Sequence, residues 1–349
     1  MVIGVVVLVH ELGHFVAAKM SGVRVEAFSI GFPPKILRWH RRGTEYSLGL
    51  IPLGGYVKLA GMSDESLAEG DPNDPRGFNR QPFYRKLFII TAGVLMNFVL
   101  GWLFYSLVVY GEGVSKLEGT RVTMVSPDYP AYQAGIEVGD EIIEVGGVPI
   151  KNWQEMVEII RHSPNIPLLV QFRRGDSLLS TEIIPKPTRE FDLSTGKMEV
   201  VGKIGVMGTW TTEKVGLLAA LGYGARQTAW VVRLNLISLK ALLSGQAGLK
   251  ELTGPLGIAR MSEGAARAGM ISFLSFIALI SVSIGFLNLL PIPMLDGGHL
   301  IFIVVEAILR RQIPEKVKLH LIRIGLALLI ALVLLVSYFD LIRFYLKPH

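Results

Sequence analysis

The stretch VIGVVVLVHELGHFVAAKM, residues 2–20, places three ionisable side chains (His10, Glu11 and His14) inside an otherwise apolar segment. As an α-helix, residues 1–20 rise about 30 Å, which is just enough to cross the hydrocarbon of a bilayer. Ionisable groups at membrane depth are costly and by default mark a functional site. The stretch therefore predicts a first transmembrane helix that carries a site. It lacks the polar start and the cleavage site of a signal peptide, and we expect the natural chain to begin upstream of Met1.

The composition agrees with a membrane location. Half of the 349 residues are hydrophobic and 18% are charged, whereas a soluble chain carries about 25% charged residues. The absence of cysteine excludes disulfides, a thiol nucleophile and cysteine-ligated metal sites. Any metal must therefore be held by histidines and carboxylates. The net charge of +6 is modest and follows the pattern of membrane topology, so we expect no nucleic-acid partner.

Three further segments are predicted to span the membrane. Residues 88–110 and 270–295 contain no charged residue, and residues 324–339 are uncharged between Arg323 and Asp340. We expect a second transmembrane helix at 88–110, a third at 270–304 and a fourth at 321–346. Lysines and arginines crowd the segments 21–87 and 305–320, which are therefore expected to be cytoplasmic loops. Residues 111–269 then lie on the opposite side of the membrane.

The His10-Glu11-Leu12-Gly13-His14 sequence is typical of a zinc site. Residues four apart lie on one face of a helix, so His10 and His14 can bind one Zn²⁺. Glu11 can then take a proton from a metal-bound water. The alternative is that these polar groups cap a short buried helix or pair with another span.

A catalytic zinc needs a third protein ligand, and the best candidate is Asp296. It lies in NLLPIPMLDGGH, residues 288–299, where Pro291 and Pro293 break the helix. Irregular backbone at membrane depth is tolerated only where it is buried in protein or lines a wet cavity. His299 is a rival ligand on chemical grounds, but we expect it to lie beside the metal or at the membrane interface.

Several motifs follow one another along the chain: HELGHF (10–15), VRVEAFSIGFPP (23–34), IPLGGYVKLAGM (51–62), AGVLMNF (92–98), a PDZ-like insert, LTGPLGIA (252–259) and NLLPIPMLDGGH (288–299). In type and order they resemble the motifs of the intramembrane site-2 metalloproteases of the bacterial RseP/RasP type. The resemblance covers nearly the whole chain and implies that His10, His14 and Asp296 bind zinc, that Glu11 is the catalytic base and that Asn288 handles substrate. It also implies one inserted PDZ domain.

Residues 44–59, TEYSLGLIPLGGYVKL, are rich in residues that favour strands. The resemblance implies that they form a membrane-associated, re-entrant β-hairpin within the loop 21–87. An exposed strand edge beside the zinc can pair with an extended substrate, and we expect Gly54 and Gly55 to contact substrate there. The alternative is an ordinary cytoplasmic hairpin.

Residues 111–190 are expected to form the PDZ-like α+β domain, with a helix over 153–162. The acidic residues Glu137, Asp140, Glu141 and Glu144 are interpreted as loop caps and a solvated face. For 191–269 we expect a β-extension and an amphipathic helix at 215–244 that lies on the outer membrane surface. Residues 252–259 are expected to be a turn.

The expected protein is a polytopic α-helical membrane protein with four transmembrane helices, a membrane-associated β-hairpin and one inserted PDZ-like α+β domain. The resemblance implies an intramembrane zinc metalloendopeptidase that cleaves transmembrane segments of single-span proteins, such as anti-sigma factors or signal-peptide remnants. Its partners are substrates whose outer domain an upstream site-1-type protease has trimmed, and its location is the bacterial cytoplasmic membrane.

Two alternatives remain at this point. One is a non-catalytic membrane scaffold that uses its PDZ domain to hold partners. The other is a soluble-type zincin tethered to the membrane, whose third ligand lies outside the spans.

Overall fold

The computed structural model describes residues 2–62, 74–192 and 197–343. The chain divides into two compact units, which are described separately. The membrane unit comprises Met1–Gly111, Leu217–Leu236 and Gly245–His349, and the inserted unit comprises Glu112–Gly216 and Ile237–Ser244.

Four helices of the described residues are long and apolar enough to cross a membrane. They are α1 (Val2–Met20), α2 (Phe83–Glu112), α7 (Met270–Asn288) and α9 (Glu315–Leu341). The remaining helices are α3 (Pro130–Gln133), α4 (Trp153–Arg161), α5 (Leu217–Leu243), α6 (Pro255–Arg267) and α8 (Asp296–Leu309). The expected class of a polytopic helical membrane protein with four spans is confirmed.

The expected third helix at 270–304 is two helices in the structure. α7 ends at Asn288 and α8 begins at Asp296, with Pro291 and Pro293 between them. Proline removes an amide donor and clashes with the preceding helical turn, so the chain cannot continue as one helix. The expected loop at 305–320 is accordingly shorter, because α8 continues to Leu309 and α9 starts at Glu315.

The second and fourth spans also differ from the expected bounds. α2 starts at Phe83 rather than at residue 88, and α9 starts at Glu315 rather than at 321. Both extensions carry basic residues, such as Arg85 and Lys318, at the end expected to be cytoplasmic. A count of uncharged residues misses such turns because a helix continues beyond the hydrocarbon. Residues 344–346 of the expected fourth span lie outside the described residues.

Small residues bring the helices of the membrane unit close together. Gly93, Asn97 and Gly101 follow one another four residues apart, on one face of α2. A Cβ atom on Gly13 of α1 would lie 2.5 Å from the carbonyl oxygen of Ala92, and one on Gly101 would collide with Val282 of α7. Glycine is therefore required at both contacts.

The strands β1 (Val25–Arg41) and β2 (Thr44–Leu59) form an antiparallel pair that folds back on itself. Ser29 pairs with Ser47 and also with Tyr56, so the middle of β1 lies between two segments of β2. The second segment, residues 55–59, forms an edge of this small sheet. The expected strands at 44–59 are present, and their partner is the preceding segment.

The inserted unit contains the strands β3 (Val114–Val125), β4 (Glu141–Val145), β5 (Val148–Pro149), β6 (Leu168–Arg174), β7 (Ser177–Ile183), β8 (Lys186–Asp192), β9 (Lys197–Lys203) and β10 (Val206–Glu213). They form an antiparallel sheet in the order β10-β3-β4-β6-β7, with the short β5 beside β4, and β8 and β9 form a separate hairpin. The core of this unit includes Ile142, Trp153 and Met156.

The expected domain boundary at residue 190 is wrong, because β10 pairs along β3 and the unit continues to Gly216. Asp140 has a structural role in this unit. Its buried carboxylate accepts two hydrogen bonds of 2.8 Å from the Arg174 guanidinium and one from the amide of Glu137. Burial opposes ionisation, yet the bonds from Arg174 hold the pKa of Asp140 below its ordinary value.

Residues 215–259 include the helices α5 and α6. Within the membrane unit, α5 packs against α2 and α7: Trp102 donates to the carbonyl of Leu221 at 2.9 Å, and Val231 is buried. The expected position of this helix on the outer membrane surface stays a prediction. The expected turn at 252–259 is in part helix, because α6 starts at Pro255. Proline suits the first helical position, where its missing amide has no helical partner.

Candidate metal centre

Three potential ligand atoms converge in the membrane unit. His10 Nε2 lies 3.1 Å from Asp296 Oδ2, His14 Nε2 lies 3.4 Å from the same oxygen, and the two nitrogens are 3.1 Å apart. A tetrahedral zinc with bonds of about 2.0–2.1 Å holds its ligand atoms ~3.3 Å apart. The triangle therefore has the size that Zn²⁺ requires.

The protonation of these groups also fits a cation. His14 Nδ1 donates to the carbonyl of Ile89 at 2.9 Å, which leaves the lone pair on Nε2. Asp296 Oδ2 is buried and has no hydrogen-bond partner among the described residues. With the proton of His10 on Nδ1, three lone pairs would face one another in a buried position, which is unfavourable unless a cation lies between them. Two imidazoles and a carboxylate are ordinary zinc ligands.

Helix geometry and a close contact position the two histidines. The one-turn spacing of His10 and His14 on α1 directs both imidazoles to the same side. α2 passes directly behind them, and any side chain at Gly93 would collide with the His14 ring. Both histidines are buried.

Asp296 reaches the site because the chain is irregular between α7 and α8. The amide of Leu295 donates to the carbonyl of Ile292 at 3.0 Å, which turns the chain back toward α1. Met294 has a φ of 93°, which is strained for a residue with a side chain. Asp296 is the first residue of α8, where the positive end of the helix dipole stabilises its negative charge.

Glu11 lies in the same cavity as the three ligand atoms, which has a volume of about 570 Å³. The amide of Val57, in the edge segment of β2, donates to the Glu11 carboxylate. The cavity is lined mainly by apolar side chains, and residues 55–57 and 59 of the edge segment form one of its walls. A buried carboxylate, a candidate metal centre and a strand edge therefore meet in one cavity.

Two of the three substrate-binding candidates line this cavity, and Gly54 is not among its lining residues. Asn288 and Gly55 line the cavity, and Asn288 Nδ2 is 3.4 Å from His10 Nε2. A Cβ on Gly54 would lie 2.9 Å from Val7 Cγ1, so this glycine permits β2 to contact α1. His299 lines the cavity too, but it is not among the three converging ligands, and its ring contacts Phe302.

Sequence reasoning missed Asn97, which is completely buried beside His10. The signal was present in the sequence. A side-chain amide in the middle of an uncharged span is costly unless it finds hydrogen-bond partners, so such a residue is a candidate for a functional role. It was noted only as a member of the AGVLMNF motif.

The chain is similar in sequence to known proteins over most of its length. A family model described as Peptidase family M50 matches residues 1–332. A relative from Rhizobium meliloti (strain 1021) is 34% identical over 96% of this chain and 92% of its own length. Zinc metalloprotease RasP of Bacillus licheniformis is 27% identical over 99% of this chain and 98% of its own. The regulator of sigma-W protease RasP of Bacillus subtilis is 26% identical over 99% and 97%.

Among solved structures, the PDZ domain of an SdrC-like protein from Listeria innocua is 25% identical. It covers 26% of this chain and 93% of that one, with a TM-score of 0.21.

Proposed function

The chain belongs to peptidase family M50 and is a zinc metalloprotease, and from this premise we propose that it is an endopeptidase that cuts transmembrane segments of single-span proteins. The observation that carries the proposal is the cavity of the membrane unit, where His10, His14 and Asp296 converge beside Glu11. All four side chains belong to helices α1 and α8, and α1 is apolar enough to span a membrane.

The catalytic roles follow from the chemistry of these side chains. His10, His14 and Asp296 would hold Zn²⁺, which when bound polarises the scissile carbonyl and lowers the pKa of water. Glu11 takes a proton from the attacking water and delivers it to the leaving amine nitrogen. The amide of Val57 orients the Glu11 carboxylate for both transfers.

A peptide bond inside a membrane helix is shielded, because its polar groups are already bonded within the helix. Cleavage requires a local unwinding of the substrate and new partners for the freed groups. We propose that the edge segment 55–59 of β2 supplies them by strand pairing. Gly55 and Asn288 line the same cavity, where Asn288 can donate a side-chain hydrogen bond to substrate. Gly54 would act through position, by letting β2 contact Val7 of α1.

We propose that the protein resides in the bacterial cytoplasmic membrane with the inserted unit on the outer side. The support is the cluster of lysines and arginines in the two loops on the other side. The inserted unit would act as a filter that admits substrates after an upstream protease has trimmed their outer domain. The name of the Bacillus subtilis relative supports membrane regulators of sigma factors as one substrate class.

The alternatives predict a different arrangement of groups. A non-catalytic scaffold that holds partners through the inserted unit has no need of a base beside three converging ligand atoms. A tethered soluble-type zincin needs its third ligand away from the spans, whereas Asp296 Oδ2 lies within 3.4 Å of the Nε2 atoms of His10 and His14 on α1, a helix long and apolar enough to cross a membrane.

The test is cleavage of a single-span reporter with a short outer tail by the reconstituted protein. Glu11→Gln keeps the side chain's size but removes the base, so we expect the rate to fall by about 10²–10⁴-fold. The variant should still bind zinc, because the three ligands are untouched. Equal cleavage by wild type and Glu11→Gln would show that the base is assigned wrongly.

A further inference from the structure

Asn97, in the middle of α2, is a buried polar side chain beside Nδ1 of His10. Its amide nitrogen lies 3.3 Å from His10 Nδ1, and none of its side chain is exposed. Its amide oxygen, Oδ1, is also buried and has no hydrogen-bond partner among the described residues. A buried amide oxygen without a donor is costly and requires an explanation.

The tautomer of His10 supplies that explanation. A neutral imidazole carries one proton, so a histidine that binds metal through Nε2 has its proton on Nδ1. With the amide as placed, the Nδ1–H of His10 would face the NH₂ group of Asn97, and two donors cannot bond. A half-turn of the amide exchanges oxygen and nitrogen and places Oδ1 opposite Nδ1.

We propose that Asn97 is a positioning residue for the metal centre: its Oδ1 accepts the Nδ1–H of His10 and thereby fixes Nε2 as a ligand. This inference rests on the zinc site proposed above. It gives the unpartnered oxygen a donor and gives the His10 proton an acceptor.

The two histidines of α1 are then oriented by the same neighbouring helix. His14 donates to the backbone carbonyl of Ile89, and His10 donates to the side chain of Asn97, both on α2. The backbone acceptor cannot be removed by substitution, whereas the side-chain acceptor can. Asn97 is therefore the position where the support of one ligand is open to experiment.

Packing against α7 holds Asn97 in place. The backbone carbonyl of Asn97 accepts a hydrogen bond of 2.8 Å from the hydroxyl of Ser281, and Gly285 leaves room for its side chain, since a Cβ there would lie 3.0 Å from Asn97 Cβ. Asn288 does not compete for this role, because its amide lies near Nε2, on the metal side of the ring.

The experiment measures zinc affinity of the purified full chain by competition with a chelating dye. Wild type and Asp296→Ala come first, and loss of affinity in the variant supports the ligand set. Asn97→Leu then removes the acceptor, and we expect a 10–100-fold loss of affinity, as is usual for an outer hydrogen-bond partner of a ligand. Asn97→Asp keeps a hydrogen-bond acceptor, and its zinc affinity should lie within about threefold of that of wild type.

Ser281→Ala is the matched control, because it removes a buried hydrogen bond at the same residue without affecting the His10 ring, and its affinity should not change. The thermal unfolding of the zinc-free variants shows whether they fold. If Asn97→Leu does not fold, Asn97→Val replaces it, being smaller and equally unable to accept a hydrogen bond.

Three results would overturn a claim. Equal zinc affinity of wild type and Asp296→Ala would overturn the proposed site itself. Affinity of Asn97→Leu equal to that of Ser281→Ala would overturn the role of Asn97 alone. An Asn97→Asp variant as weak as Asn97→Leu would show that packing at this position matters rather than hydrogen-bond acceptance.

Discussion

Glycines decide whether the three ligand atoms can meet. Gly13 and Gly93 allow α1 and α2 to touch backbone to backbone, and the His14 imidazole lies directly on Gly93. The Gly297 and Gly298 pair of α8 packs in the same way on carbonyl groups of the preceding loop. A side chain at any of these positions would move a ligand, because a packed interior cannot yield by a large fraction of an ångström without cost.

Gly93→Ala tests this relation. The new methyl group would collide with the His14 ring, so we expect zinc affinity to fall by about tenfold or more, by analogy with the loss of a ligand's supporting contacts. Gly111→Ala is the matched control, since it is the same substitution in the same helix and its Cβ would make an ordinary contact of 3.7 Å with Ile271. Competition with a chelating dye measures both, and equal affinities would contradict the explanation.

The β1–β2 element gives the cavity a wall with hydrogen-bonding capacity. Because β1 lies between two segments of β2, the second segment becomes an edge strand. Exposed edges are a hazard in water, since they pair with other chains. Beside the candidate metal centre, the same property would serve to hold an unwound substrate.

Val57→Pro tests the edge. Proline removes the amide that donates to Glu11, yet it is tolerated at a sheet edge. We expect cleavage of the single-span reporter to fall at least tenfold while zinc affinity stays within a factor of two. Val57→Ala shortens the side chain but keeps the amide, and it should cut at a rate near that of wild type. A similar loss in both variants would assign the effect to the side chain instead.

The sequence predicts some elements well because their signals are local. These signals are the helical spacing of His10 and His14, the prolines after Asn288 and the four apolar segments. Each is contained in one continuous stretch of sequence. The doubled pairing of β1 depends on pairs such as Ser29 with Tyr56, which no local pattern links. Pro255 marks the start of α6 locally, but contacts that hold this helix come from a distant segment. For example, the amide of Gly257 donates to buried Asp340, 83 residues later in the chain.

The candidate site shows the same division. Candidate ligand types and their chain order can be read from motifs, and the structure brings the candidates His10, His14 and Asp296 together. The neighbours that orient them cannot be read from motifs, because no pattern links Asn97 to His10 before the fold brings α1 and α2 together.

For the molecule as a whole, the proposed orientation in the membrane has a direct test, because the chain has no cysteine of its own. A single cysteine introduced at exposed Asp176 of the inserted unit should react with an impermeant maleimide in intact cells. A cysteine at exposed Arg311, between α8 and α9, should react only after the membrane is permeabilised. The reverse pattern would invert the proposed topology.

The separation of the ligands along the chain also determines when the enzyme can first act. His10 and His14 leave the ribosome early, whereas Asp296 follows 286 residues after His10 (296 minus 10). At about 5–20 residues per second, synthesis takes roughly 15–60 s to cover that interval. With the proposed ligand set, the nascent chain lacks its third ligand throughout this time and should be inactive toward other membrane proteins. On this proposal, proteolytic competence begins only once nearly the entire polypeptide has been made.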